Sequence, residues 1–158
     1  MRIDTGAGSI LCDPWVNPAY FASWFPFPDN SHLDWEALGQ VDYLYVSHLH
    51  RDHFDAAQLS RFVSKDATVL LPEYPTSELQ DQLEALGFTR FLKTVSNEVH
   101  ELDGGLKIMV QALTSPTDGP IGDSHACRWG VRACKMNCSP PVVLNTSCRQ
   151  RYRPPIAR

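Results

Sequence analysis

Ser47-His48-Leu49-His50-Arg51-Asp52-His53 follows directly on the apolar run Tyr43-Leu44-Tyr45-Val46. Three histidines and an aspartate fall within six residues, and they are half of the six histidines in the chain. Val41 to Val46 reads as a buried strand, and the histidines as the loop that it delivers. His48 and His50 alternate along extended backbone, so both imidazoles can point the same way. After a turn at Arg51, Asp52 and His53 approach from another direction. Neutral imidazole and carboxylate suit Zn²⁺, Mn²⁺ and Fe²⁺. Two such sets in one short loop can hold one or two ions and acidify a water held between them. The plain alternative is a surface loop that merely happens to be rich in histidine.

Upstream, Ser9-Ile10-Leu11-Cys12-Asp13 reads as a short buried strand stopped by Pro14, and Gly6 and Gly8 as a turn from a preceding element. Trp15 to Asn30 carries Trp15, Tyr20, Phe21, Trp24, Phe25 and Phe27 among Pro18, Pro26 and Pro28. Prolines at that density exclude a long helix. The segment reads as a structured loop with at most a helical turn over 19–24. Its aromatics either cover a core edge or wall a small-molecule pocket beside the metal. Ser31 or Asp34 caps a helix ending at Gly39.

Downstream, Asp55 caps a helix over 56–63 with Ala56, Leu59, Phe62 and Val63 on one face. A strand over 67–71 is stopped by Pro72. Thr76 or Ser77 caps a helix through Leu86, with Leu79, Leu83 and Leu86 inward and Gly87 just past its end. Short strands follow over 91–95 and 98–102. Asp103-Gly104-Gly105 makes a hairpin turn, and 106–113 is a strand. The order of strands, helices and hairpins predicts an α/β protein with helices outside a sheet.

Charge divides the chain near residue 124. Residues 1–124 hold all 18 acidic side chains and 7 of the 14 Lys and Arg; residues 125–158 hold the other 7 basic side chains and no acid. Cys127, Cys134, Cys138 and Cys148 also lie beyond that point. We therefore expect a domain over 1–124 and an atypical basic, Cys- and Pro-rich tail over 125–158. In the tail only Val142-Val143-Leu144 looks strand-like, and no structure is forced on the rest. An out-of-frame or alternatively spliced reading would produce the same abrupt change. Only Cys134 and Cys138 are close in sequence, so the tail does not read as a zinc site. Its basic residues lack aromatic interleaving, and nucleic acid is not an expected partner. No apolar run approaches the roughly 20 residues needed to span a bilayer. The first residues lack the pattern of a signal peptide, so a cytoplasmic protein is expected.

The loop from Ser47 to His53 resembles the HxHxDH signature of the metallo-β-lactamase-fold hydrolases, and Ile10 to Trp15 resembles their early strand. The resemblance spans about residues 8–124. It implies an αββα sandwich, of which this chain would hold the N-terminal portion. Asp13-Pro14-Trp15, Ser47 to Phe54 and the segment 114–124 look most like the hydrolase-like domain of CMP-N-acetylneuraminate hydroxylase and its bacterial relatives. Lactonases of the ascorbate-6-phosphate type are a more distant likeness. By this resemblance His48 and His50 would bind a first metal, and Asp52 and His53 a second. A third ligand to the first metal falls where the family has a His and this chain has Asp118; His125 lies seven residues on. The family's further downstream ligands have no counterpart identifiable here, and neither does a Cys/His pattern for an iron–sulfur cluster.

Three functions are consistent with these readings. One is a metal-dependent hydrolase acting on an ester, a lactone or a phosphoester, with Asp52 as catalytic base or second-metal ligand. The second is a truncated remnant with the same fold that binds metal weakly or not at all. The third is a binding module for an acidic sugar nucleotide.

Overall fold

The computed structural model of the chain describes residues 1–112, 125–131 and 142–145. The elements in order are β1 (Arg2–Thr5), β2 (Gly8–Cys12), α1 (Trp35–Leu38), β3 (Tyr43–Tyr45), α2 (Ala56–Phe62), β4 (Thr68–Pro72) and α3 (Glu78–Ala85). They continue with β5 (Phe91–Thr94), β6 (Val99–Glu101), β7 (Leu106–Ala112), β8 (His125–Val131) and β9 (Val142–Asn145). The first five strands form one sheet in the order β1-β2-β3-β4-β5, and the last four a second in the order β6-β7-β8-β9. β2 through β5 are parallel, and β1 folds back antiparallel through the turn that Gly6 and Gly8 predict.

Alternation along the strands decides the layers. Leu11, Leu44, Val46, Val69 and Leu71 face one way and pack on Leu59 of α2, on Val63 just past its end, and on Leu79 and Leu83 of α3. Ile10, Cys12, Tyr43, Tyr45 and Leu70 face the other way and pack on Leu106, Ile108 and Val110 of β7. Side chains of period two on a sheet covered on both faces give a helix layer, a sheet and a second sheet. This is the metallo-β-lactamase-like sandwich that the resemblance implies, with three of its four layers among the described residues.

Several local expectations are refined. Asp34 rather than Ser31 caps α1, its Oδ1 accepting from Ala37 N at 3.0 Å. Asp55 caps α2, but Ala56 is exposed and Gln58 is buried in its place. The helical turn expected over 19–24 is a turn closed by an Ala19–Trp24 bridge, and its residues Tyr20, Phe21 and Ala22 have φ of 48°, 56° and 58°. The hairpin at Asp103–Gly105 forms with positive φ at both glycines. β8 lies in a stretch whose hydropathy shows no strand; it pairs antiparallel with β7 from Leu106↔Val131 to Ala112↔His125. Asp118 lies outside the described residues. No helix among the described residues is long and apolar enough to cross a membrane.

Gly39 shows how tightly α1 meets α2. A Cβ there would lie 1.9 Å from the Phe62 carbonyl oxygen, a backbone atom that cannot swing aside. Gly39→Ala is therefore expected to destabilise the fold by about 1–3 kcal/mol, the usual cost of overpacking. Urea denaturation measures this, and a change below about 0.5 kcal/mol, the scale of ordinary surface substitutions, would show that the two helices adjust freely.

Candidate metal centre

The candidate site lies at the C-terminal ends of the parallel strands, where open α/β sheets place their ligands. Register brings its parts together. Cys12 pairs with Tyr45, so Asp13 emerges beside Val46 and Ser47. Asp13 N donates to Tyr45 O at 3.0 Å, and its φ of 40° turns the chain out of the sheet. Aspartate is one of the few residues that tolerate that conformation.

The Asp13 carboxylate is then aimed into the histidine loop. Its Oδ1 accepts from Ser47 N at 2.7 Å. Its Oδ2 accepts from Ser47 Oγ at 2.9 Å and lies 2.9 Å from His53 Nδ1. Ser47, 1% exposed, also places its Oγ 2.9 Å from His48 Nδ1. An ionised carboxylate only accepts, and a serine hydroxyl has one proton to give. With the hydroxyl proton committed to Asp13, Oγ accepts from His48 Nδ1–H, while His53 Nδ1–H donates to the same carboxylate. An imidazole that is neutral and bonded in this way carries its lone pair on Nε2. An outer carboxylate that orients ligand histidines in this way is what metal centres require.

The three rings are neighbours. The centroids of His48 and His53 are 4.2 Å apart and those of His48 and His50 are 4.5 Å apart. Asp52 Oδ2 lies 3.4 Å from His53 Nε2, and its side chain is 16% exposed. The turn that reverses the loop is closed by His53 N and Phe54 N donating to His50 O at 2.8 and 2.7 Å. Among the described residues, no group of three or more His, Cys, Asp or Glu side chains stands close enough to hold an ion by itself. The donors nevertheless fit Zn²⁺, Mn²⁺ or Fe²⁺ in kind, with imidazole Nε2 atoms and a carboxylate on one loop.

The described end of β7 is held near the same edge of the first sheet. Asn97, just past β5, donates to Val110 O at 2.9 Å, and Ala112 pairs with His125. The structure therefore brings His48, His50, Asp52 and His53 together. It gives His125 a place at the start of β8, and Asp118 lies outside what is described.

Two residues that the sequence reading did not assign to the site complete the surroundings. Asp55, buried, accepts from Val16 N at 3.0 Å, Asn17 N at 2.8 Å and Asn17 Nδ2 at 3.0 Å, besides capping α2 through Gln58 N at 3.1 Å. It bolts the aromatic loop to the end of the histidine loop. Tyr20 OH donates to Asp52 Oδ1 at 3.1 Å. Burial, and then the Asp52 carboxylate itself, hold the Tyr20 phenol above its ordinary pKa. Positive φ at non-glycine residues costs roughly 1–2 kcal/mol each, so Tyr20 is not where it is by local preference. The signal for Asp55 was its cap position; Tyr20 had none beyond membership of an aromatic cluster. Beside the loop, a cleft of about 220 Å³ is lined by His48, His50, Tyr74, Thr76, Glu78 and Leu79. Tyr74 OH donates to Ser47 O, tying β4's exit to the same loop. Phe21 and Phe27, at 103% and 90% exposure, point away from any core.

No family model matches the chain. A Mycobacterium tuberculosis protein that carries the provisional name Rieske 2Fe-2S iron-sulfur protein is 64% identical over 148 residues, covering 90% of this chain and 29% of that protein. This chain thus spans under a third of that relative's length, and a match of that extent necessarily runs past residue 124. The human inactive cytidine monophosphate-N-acetylneuraminic acid hydroxylase is 33% identical over 67 residues, covering 41% of this chain and 13% of that protein. Among solved structures, a possible metal-dependent hydrolase from Veillonella parvula superposes with a TM-score of 0.64 at 16% identity, over 91% of this chain and 58% of that one. CmlA, a diiron β-hydroxylase from Streptomyces venezuelae, superposes with a TM-score of 0.55 at 18% identity, over 85% of this chain and 25% of that one. Likeness at these identities establishes the fold.

Proposed function

We propose, for a chain with the fold of metal-dependent hydrolases, that the His48–His53 loop is the metal centre of a hydrolase acting on an ester, lactone or phosphoester. The observation that carries this reading is the hydrogen-bond network that joins Asp13 and Ser47 to His48 Nδ1 and His53 Nδ1, in which a neutral imidazole bonded through Nδ1–H would present Nε2 to an ion. In this reading His48 and His50 hold the first ion, with Asp118 as a further donor, and Asp52 and His53 hold the second. Zn²⁺, or Mn²⁺ or Fe²⁺ in its place, supplies Lewis acidity when bound and lowers the pKa of a coordinated water from about 15.7 towards about 7.

The chain's own residues do the rest. Asp13 and Ser47 hold the imidazole orientation, and Asp52 accepts a proton at a carboxylate oxygen or stays a ligand. The cleft beside His48 and His50 takes a small molecule, an acidic sugar or a phosphoester, with Leu79 and Tyr74 supplying its apolar wall. A cytoplasmic setting belongs to the same proposal. The iron–sulfur cluster in the mycobacterial relative's name is not assigned to this loop, since a Rieske centre takes two thiolates with two imidazoles and residues 47–55 contain no cysteine.

The 33% identity to the human hydroxylase favours a second reading. In it the chain is a metal- or sugar-nucleotide-binding part of a hydroxylase-like protein and turns nothing over by itself. Gently purified protein is expected to carry about one or two equivalents of zinc, manganese or iron by elemental analysis. Added Zn²⁺ at about 100 times its Kd should stabilise metal-stripped protein by about 2.7 kcal/mol, about 5–10 °C in Tm for a chain of this size. Absence of both metal and shift would remove the metal-centre reading. Hydrolysis of simple lactone or phosphodiester substrates supports the first reading, and saturable binding of an acidic sugar nucleotide without turnover supports the second.

A further inference from the structure

We propose that Tyr20 is a positioning residue of the metal loop, acting through Asp52. The inference rests on the metal-centre reading and adds to it a residue from outside the histidine motif. Tyr20 OH donates to Asp52 Oδ1 at 3.1 Å, while Asp52 Oδ2 lies 3.4 Å from His53 Nε2. The phenol therefore engages one carboxylate oxygen and leaves the other turned towards the imidazole cluster. A carboxylate on a loop can rotate about its last bond at little cost; a hydrogen bond to one oxygen removes that freedom. Asp52 is thereby presented to an ion with a fixed oxygen, which is how outer partners raise the affinity of ligating carboxylates.

Three further observations show that the chain is built to put the phenol there. First, the ring is held from both sides. It meets Trp24 edge-on at 5.1 Å and 66°, and His50 edge-on at 6.5 Å and 75°. Second, the turn that projects it is closed on itself. Ala19 N donates to Trp24 O at 3.0 Å and Trp24 N to Ala19 O at 3.2 Å, and the three residues between them with positive φ include Tyr20. Third, the base of that loop is anchored to the same histidine segment by Asp55, through Val16 and Asn17. Core packing does not account for the tyrosine. Ala19 is buried at 2% exposure, whereas Tyr20 is half-buried and belongs to neither core cluster. Backbone strain that packing does not explain points to a functional constraint.

Tyr20→Phe keeps the ring and its contacts with Trp24 and His50 and removes only the hydroxyl. Zinc affinity of the full chain is to be measured by competition with a chromophoric chelator, with the Tm of the metal-free protein alongside. The expected result is about a tenfold loss of affinity for the ion that Asp52 binds, with a metal-free Tm within about 2 °C of wild type, the range of a surface substitution. In an Asp52→Ala background, Tyr20→Phe should have no further effect on zinc, because its route runs through that carboxylate. The visible spectrum of the Co²⁺-substituted protein should change with Tyr20→Phe in the same way.

Unchanged affinity and spectrum in Tyr20→Phe would overturn the proposal while leaving the metal centre standing. A loss that persists undiminished in the Asp52→Ala background would also overturn it, since the tyrosine would then act on the loop's fold and not through Asp52. Wild-type protein that takes up no zinc is a separate outcome, which removes the metal-centre reading and this inference with it.

Discussion

A protein carrying His48→Ala and His50→Ala together is expected to lose the first ion completely while keeping its fold. Four-ligand zinc sites reach apparent binding free energies of about 10–16 kcal/mol, so each ligand carries roughly 3 kcal/mol. Losing two removes about 6 kcal/mol, on the order of a 10⁴-fold drop in affinity. Copurifying metal should fall to at most the content of the Asp52–His53 half. Hydrolysis, where the wild type shows it, should fall to background. The fold should be spared because His50 is exposed and His48 half-buried, and neither belongs to a core cluster. Elemental analysis and the Tm of metal-stripped protein measure the two halves of this expectation. Retention of wild-type metal content would place the ion elsewhere, and a collapse of the metal-free Tm would mean that the loop serves stability instead.

Asp13→Ala is expected to damage both stability and metal binding, although Asp13 would not itself touch the ion. Its carboxylate receives Ser47 N and Ser47 Oγ and lies against His53 Nδ1. Removing it leaves the amide and hydroxyl of nearly fully buried Ser47 without their acceptor, at about 1–3 kcal/mol for a buried donor. Alanine also tolerates the positive φ at this position less well than aspartate. Together these predict a fall in Tm of about 5–10 °C for a chain of this size. Ser47 Oγ–H is released as well, so the hydroxyl no longer commits His48 to the Nε2 lone pair, and metal affinity should fall a further 10–100-fold. Asp13→Asn separates the effects. It keeps an acceptor for Ser47 N and tolerance of the turn, but lacks the acceptor-only oxygen that His53 Nδ1–H needs. The expected pattern is a largely restored Tm with metal affinity still reduced. If Asp13→Asn binds metal as wild type does, the carboxylate does not set the tautomers.

The order of elements could be read from the sequence because each element is signalled by information local to a few residues. The unbroken apolar runs Ile10-Leu11-Cys12 and Tyr43-Leu44-Tyr45-Val46 mark strands with two buried faces, and both faces are buried. Asp34 and Asp55 mark helix starts because a short acceptor before an apolar run is the local solution to unpaired amides. Where pattern and structure part, the cause is not local. β8 is a strand through its pairing with β7, and hydropathy along 125–131 carries no sign of that partner. The turn over 19–24 has no glycine at its three positions of positive φ, so composition suggested a helical hand that the closed loop does not have.

The sequence by itself determined which donor groups the loop offers. His48, His50, Asp52 and His53 lie within one turn of chain, and their donor atoms are fixed by residue type wherever the loop goes. Only the tertiary structure decided which atoms face inward. Asp13 and His53 are 40 residues apart and Tyr20 and Asp52 are 32 apart, yet each pair shares a hydrogen bond. The parallel register of β2 on β3 creates the first pair, and the loop that Asp55 anchors creates the second. The tautomer of a histidine and the rotation of a carboxylate depend on the group hydrogen-bonded behind it. Such a group comes from whatever the fold brings alongside, so no spacing within the motif can specify it.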